Sequence, residues 1–229
     1  MAYRELPPPP HLAHLVRCLW LRRGEGDTTL VLPDGCLDVI VSDGRALVAG
    51  PDTGPVAATT AHGVGVAGVR LRPGAAAAVL GVPADELRDR RVALEDVWGR
   101  AGRELAERAG ADPVALATAL RDRFERAGPD PRVLAAARRL ARAPETPVPD
   151  LAAAVALGDR QLRRRFTAAV GYGPKTFARV ARFHRALALM RAGEPAAAAA
   201  FAAGYADQAH MTREMRALGG RTPAALRAA

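Results

Sequence analysis

The residues of this sequence best suited to specific chemistry lie in two short segments. Arg160, Arg163 and Arg164 share one face of the first, and Gln208, Ala209, His210 and Arg213 cluster in the second. An Arg guanidinium can pair bidentately with guanine and a Gln amide with adenine, each good pair giving ~1–3 kcal/mol of discrimination; Ala offers only apolar contact to a thymine methyl. The two segments are copies of one pattern. Leu162, Arg164, Phe166, Gly171, Pro174 and Phe177 lie 49 positions before Met211, Arg213, Met215, Gly220, Pro223 and Leu226. Each copy reads as a short apolar helix, a turn, a second helix with apolar residues on one side and Arg on the other, then Gly and Pro. That order is a helix-turn-helix, and it points to DNA.

The flanking residues say how these side chains are positioned. Asp150 is expected to cap a helix over Leu151 to Leu157, with Gly158 as the turn. The next helix runs from Asp159 to Val170, buries Leu162, Phe166 and Val170, and stops at Gly171. Pro174 suits the first turn of a long helix to about Arg191, whose face of Phe177, Val180, His184 and Leu187 packs against both flanking units. At ~1.5 Å per residue, about 18 residues span ~27 Å, so this helix can hold two readers nearly one DNA turn of ~34 Å apart. The second unit repeats the design: Pro195 to Ala203, a turn at Gly204 to Ala206, then Asp207 to Leu218 with Met211, Met215 and Leu218 inward. Lys175, Thr176 and Thr222 sit at helix starts, where backbone N–H groups bind anions, and with Arg179 they are the expected phosphate contacts. Simple capping is the plainer role for the two threonines.

Charge points the same way. Residues 131–229 hold 17 Lys and Arg against 6 Asp and Glu, a net +11, whereas residues 1–130 hold 16 against 18, a net −2. A positive potential of that size favours a polyanion. Membrane-surface binding would need bulky apolar anchors that the Ala-rich helices lack, and no apolar stretch approaches a membrane span. Cys18 and Cys36 are too few for a disulfide framework and have no ligand-spaced companions, so no metal site and no cofactor are expected. The chain opens with a proline run, not a leader, and a cytoplasmic location is expected.

The run Gly204-Tyr-Ala-Asp-Gln-Ala-His-Met-Thr-Arg-Glu-Met-Arg, followed by Gly220-Arg-Thr-Pro223 and Arg227, resembles the signature of the AraC/XylS family of bacterial transcription regulators. Arg160-Gln-Leu-Arg-Arg-Arg-Phe and Gly173-Pro-Lys-Thr extend the likeness over residues 131–229. The resemblance implies a small-molecule-responsive regulator, often an activator working with RNA polymerase, acting as a monomer or homodimer on double-stranded DNA. It also implies that the base-reading positions are the seven residues named above. The sequence departs from the family pattern at Met215, Gly219 and Leu226, where the family has bulkier or aromatic residues. A lighter core is therefore expected in the second unit, and the Ala196 to Ala200 helix is expected to have little to pack.

Residues 1–130 read as a separate α+β domain with a small antiparallel sheet or partial barrel, followed by an all-α domain over residues 131–229 built of two helix-turn-helix units joined by a long helix. The proline-rich lead is expected to lie extended on the surface. A helical turn and strand follow over His11 to Arg22, and further strands over Thr28–Leu32, Leu37–Val41, Ala46–Ala49 and Gly63–Leu71. Turns fall at Pro33 to Gly35 and Ser42 to Gly44. Helices are expected over Ala75–Leu80, Pro83–Arg90, Leu94–Ala109, Pro113–Arg126 and Pro131–Ala141. Leu32-Pro-Asp-Gly-Cys-Leu-Asp38 and Gly68-Val-Arg-Leu-Arg-Pro-Gly74 resemble the short N-terminal domain of actinobacterial AraC-type regulators. Asp34, Cys36, Asp38, Arg70 and Arg72 are the candidate lining of a ligand pocket. His11, His14 and His62 are scattered with no accompanying nucleophile motif, so no catalytic residue is assigned; an enzyme localised to DNA is the alternative class.

Overall fold

The computed structural model describes residues 3–228. The N-terminal half holds eight strands: β1 (Arg4–Leu6), β2 (Val16–Arg23), β3 (Thr28–Val31), β4 (Leu37–Ser42), β5 (Arg45–Ala49), β6 (Val56–Thr59), β7 (Gly65–Leu71) and β8 (Arg91–Ala93). Six form one antiparallel sheet in the order β1-β2-β7-β4-β5-β8, and β3 pairs with β6 in a second. In β4 the alternation of the sequence becomes two faces: Leu37, Val39 and Val41 are buried in the core, and Asp38, Ile40 and Ser42 point the other way. Asp43 and Gly44 both adopt positive φ, 50° and 69°, which closes the β4–β5 hairpin with the twist its strands need. Gly68 of β7 lies against Trp20 of β2, where an added methyl would overlap the indole.

Five short helices cover the core face: α1 (Ala76–Leu80), α2 (Leu94–Trp98), α3 (Arg100–Ala109), α4 (Pro113–Ala119) and α5 (Arg121–Arg126). Leu80, Leu105, Leu116 and Leu120 join Leu37, Val39, Val69 and Leu71 in one apolar core.

Several local expectations need correction. The lead does lie extended on the surface, and it is also paired: Arg4–Leu6 joins the sheet edge opposite Leu21, Trp20 and Leu19 before the prolines begin. The stretch expected as a helix over Pro83–Arg90 makes only one 3-10 turn, Ala84–Glu86, and Asp89 sits at φ 57°. The helix expected over Leu94–Ala109 breaks at Gly99, with φ 59° and ψ −136°, and that over Pro113–Arg126 breaks at Leu120. Pro33 to Gly35 does not fold β4 back onto β3, whose partner is β6.

The C-terminal half is helical: α6 (Pro131–Arg142), α7 (Val148–Ala154), α8 (Asp159–Val170), α9 (Pro174–Arg191), α10 (Ala196–Ala202), α11 (Gln208–Gly219) and α12 (Pro223–Ala228). Its core gathers Leu140, Leu151, Phe166, Phe177, Phe183, Met190, Met211 and Met215 around α9. Asp150 lies in the first turn of α7, two residues inside it, so it is not the expected cap. The alanine run does pack: Ala199 and Ala200 are buried, small side chains that let α10 sit close to its neighbours. No described helix is long and apolar enough to cross a membrane.

Candidate nucleic-acid interface

The helices α8 and α11 are 12 residues each and lie 49 positions apart from end to end. Both bury an apolar stripe at helical spacing, Leu162/Phe166/Val170 in one and Met211/Met215/Leu218 in the other. Burial of that stripe fixes which face looks outward. On α8 the outward residues are Arg160, Gln161, Arg163 and Arg164; on α11 they are Gln208, Ala209, Arg213 and Arg216. Gln208, Ala209, Thr212, Arg213 and Arg216 line a shallow hollow. Gln161, Thr212 and Arg216 were not among the expected readers, yet the spacing of three or four from Arg164, Ala209 and Arg213 marks them on the same faces.

His210 is placed differently from its neighbours. Its backbone N–H donates to the Asp207 carboxylate at 2.6 Å, the cap of α11, and its ring stacks edge-on against Tyr205 at 5.3 Å. The half-buried ring closes the turn between α10 and α11. Lys175 is exposed in the first turn of α9 and Thr176 is half-buried beside it. Thr222 caps α12 by accepting from the Ala225 N–H at 3.3 Å. Arg179 is committed to another partner: its Nε donates to Glu214 Oε1 at 2.7 Å, tying α9 to α11. Arg182 lies 3.8 Å from the other Glu214 oxygen, beyond hydrogen-bond reach, and its guanidinium sits 5.3 Å from the centre of the Tyr205 ring.

In the N-terminal half the structure brings together four of the five expected pocket residues. Arg70 Nε donates to Asp38 at 3.1 Å, and its Nη1 lies 3.6 Å from both Asp34 and Glu5. Trp20 Nε1 donates to Asp38 at 2.7 Å, and Arg17 reaches Asp34 at 3.7 Å and Cys36 Sγ at 3.7 Å. Arg72 is outside this cluster, its Nε bonded to the Ala13 carbonyl at 2.7 Å. Burial pushes the Asp38 carboxyl up, with Arg70 pulling it back. Burial also raises the Cys36 thiol well above its usual range and Cys18 to about 11, so both remain protonated and poor nucleophiles. Among the described residues no group of three or more His, Cys, Asp or Glu is placed to hold a metal ion. A separate groove of about 600 Å³ lies between Leu6 to Pro9 and the helices α4 and α5, with Arg121 and Glu125 among its lining.

The cluster touches the helical half through one loop. The Pro33 carbonyl accepts from His184 Nε2 of α9 at 2.7 Å. Next to it, Gly35 packs on Phe177 and the Tyr172 hydroxyl, and Leu32 joins the helical core.

Two basic helices, each held outward by a buried stripe and joined by an 18-residue helix, define a tandem helix-turn-helix unit. Residues 151–229 match the family described as a helix-turn-helix domain, and residues 4–93 match a domain of unknown function, DUF6597. Residues 151–229 are thus a helix-turn-helix domain, and the protein is a DNA-binding transcription regulator. Among solved structures, ToxT from Vibrio cholerae O395 is 8% identical, with 91% of this chain and 95% of that chain covered and a TM-score of 0.48. An apo ToxT variant from Vibrio cholerae strain SCE256 is 9% identical, covering 91% and 96%, with a TM-score of 0.47. No curated protein sequence matches the chain.

Proposed function

We propose that this protein regulates transcription by reading two successive major grooves with α8 and α11, under the control of residues 1–130. The observation that carries the reading is the pair of equal-length helices with exposed Arg160, Arg163, Arg164 on one and Gln208, Ala209, Arg213 on the other. Lys175 and the start of α9 contact phosphate between them. The division falls at residue 130, before α6. A DNase footprint should show two protected blocks about one turn, ~10 base pairs, apart on one face of the duplex. Affinity should fall steeply with salt, by about 0.9 in the log–log slope for each phosphate neutralised. A single block of specified bases would defeat the two-headed reading.

The regulation is by a small molecule, and the protein activates by contact with RNA polymerase. The support for the first is the position of Asp34: it belongs to the Arg70 cluster, and its neighbour Pro33 is bonded to α9. A ligand that competes for Arg70 or Asp34 would move the loop that touches the helical half. The support for the second is Phe201 of α10, 84% exposed and available to a protein partner. Thermal shifts of the full chain with a panel of charged metabolites, compared with those of Asp38→Asn, test the effector site; a shift that persists in the variant places the ligand elsewhere.

A further inference from the structure

Both recognition helices end on a glycine in the left-handed conformation, Gly171 at φ 97° and Gly220 at φ 67°. The N-terminal half touches both glycines through the loop Gly50 to Pro55, and meets Gly171 a second time at the Ala84 carbonyl, 3.1 Å from where an added Cβ would lie. An added methyl at Gly171 would overlap the Pro51 ring, and one at Gly220 would lie 3.0 Å from Pro55 Cγ. Between them, a Cβ on Gly54 would lie 4.0 Å from the Ala217 carbonyl of α11. Two prolines four positions apart thus meet the ends of two helices whose starts face outward.

The loop is held stiff from below. Asp52, 7% exposed, takes both Arg91 nitrogens at 2.8 Å. Thr53 donates its N–H to Asp89 at 2.7 Å and its hydroxyl to the same carboxylate at 2.9 Å. The Asp89 N–H in turn donates to the Pro51 carbonyl at 3.3 Å, and the Gly50 N–H to the Arg90 carbonyl at 2.9 Å. The same support reaches α8 a second time, since Arg88 Nη1 donates to the Gly171 carbonyl at 3.4 Å. Proline at both contact points limits what the backbone can do.

We propose that the Gly50–Pro55 loop is a spacer that fixes the separation of α8 and α11, and so sets which distance between half-sites the protein accepts. This rests on the two-headed reading of DNA and adds a part to it: Pro51, Asp52 and Pro55 determine specificity without touching DNA. Within the helical half the two heads are held by one core around α9 and by the pairs Arg165–Asp130 and Arg179–Glu214, all of them near that helix or α6. Contact at the two far ends adds a constraint on their separation from the opposite side.

Two measurements on the full chain test this. Spin labels on Gln161→Cys and Arg216→Cys report the distance between the two helices without DNA; the native Cys18 and Cys36 are buried. The distance distribution should be single and narrow with the native loop, and broad after Pro51→Gly with Pro55→Gly. Selection of sites from a random DNA pool should then show the same bases in each block for both proteins. The native loop should reject a site lengthened by about one base pair roughly tenfold, and the variant should nearly lose that preference. A distribution that stays narrow in the variant overturns the spacer, as does an unchanged spacing preference beside a broadened one. Broadening with no two-block site for either protein leaves the spacer's mechanical role standing and defeats the DNA reading. If the double variant melts early, Asp52→Asn and Thr53→Ala loosen the loop more gently, and either must broaden the distribution.

Discussion

The two helix-turn-helix units, here the first and second heads, share a skeleton and differ in what fastens it. In the first, Phe166 is fully buried and meets Phe177 edge to face at 5.6 Å. Its helix α8 is held to α6 by Arg165 and Asp130 at 2.9 Å and to the N-terminal half at Gly171. In the second head the equivalent positions hold Met215 and Leu226, and Glu214 sits between Arg179 and Arg182 of α9. The first head is fastened by rings, by one charged pair and by a hydrogen bond from the N-terminal half; the second by flexible thioethers and by a carboxylate set between two Arg side chains, with Pro55 against its terminal glycine. Salt bears more on α11.

The largest difference should appear on core truncation. Phe166→Ala should cost ~3–5 kcal/mol and abolish DNA binding together with an early melt, because the ring fills a site that cannot collapse. Met215→Ala should cost ~2–5 kcal/mol and strip hydrogen-exchange protection from α11 ahead of α8. Unchanged melting with lost binding after Phe166→Ala would contradict its buried position. Next come the readers. Arg164→Ala should relax base preference in one block and Arg213→Ala in the other, each by ~1–3 kcal/mol, while Lys175→Ala weakens all sites about uniformly. If the two Arg variants blur the same base pairs, the heads do not read separate grooves.

Glu214→Gln should lower stability by ~1–2 kcal/mol, since Arg182 loses its counter-charge at a half-buried site. The loss should shrink in high salt, whereas the Phe166→Ala loss should not, and denaturant melts at two salt concentrations make the comparison. The smallest effect concerns pH. Burial holds His184 below its ordinary value, against the opposing pull of its bond to Pro33. The neutral ring is favoured in the folded state, so its contribution is complete above the unfolded value near 6.5 and is lost as pH falls below it toward the folded value. Acidification from about 7.5 to about 5.5 should loosen the contact between the halves, and His184→Asn should flatten that dependence.

The C-terminal unit was legible because its punctuation is local. Gly171 and Gly220 end helices, Pro174 and Pro223 start them, and the apolar stripes have one unambiguous period. Of the face expected on α9, Phe177, Val180 and Leu187 are buried; Phe183 completes it, and His184 lies at its edge bonded to Pro33. In the N-terminal half the strands with β-branched runs could be read, but β6 and β8 are four and three residues with little pattern to mark them. Breaks at Gly99 and Leu120 interrupt otherwise helical stretches. The charge cluster was visible as residue types, yet Arg70 and Arg72 share the same parity, and what separates them is the end of β7 at Leu71: Arg72 lies past the strand, bonded to the Ala13 carbonyl. The meeting of Pro51 and Pro55 with two distant glycines joins positions more than a hundred residues apart, which no spacing announces.

Helix α6 has a consequence for inheritance. Val133 is buried in the helical core, and its neighbour Leu134 in the core of the sheet half. Successive residues of a helix point about 100° apart, so a single turn serves as a wall of both interiors. This helix lies between the two matched regions, residues 4–93 and 151–229, and belongs to neither. Recombination that grafted another domain in front of Pro131 would leave Leu134 facing a foreign surface. Such a graft keeps Leu134 buried only where it brings an apolar recess to that turn of α6; otherwise it forgoes on the order of 1.5–3 kcal/mol.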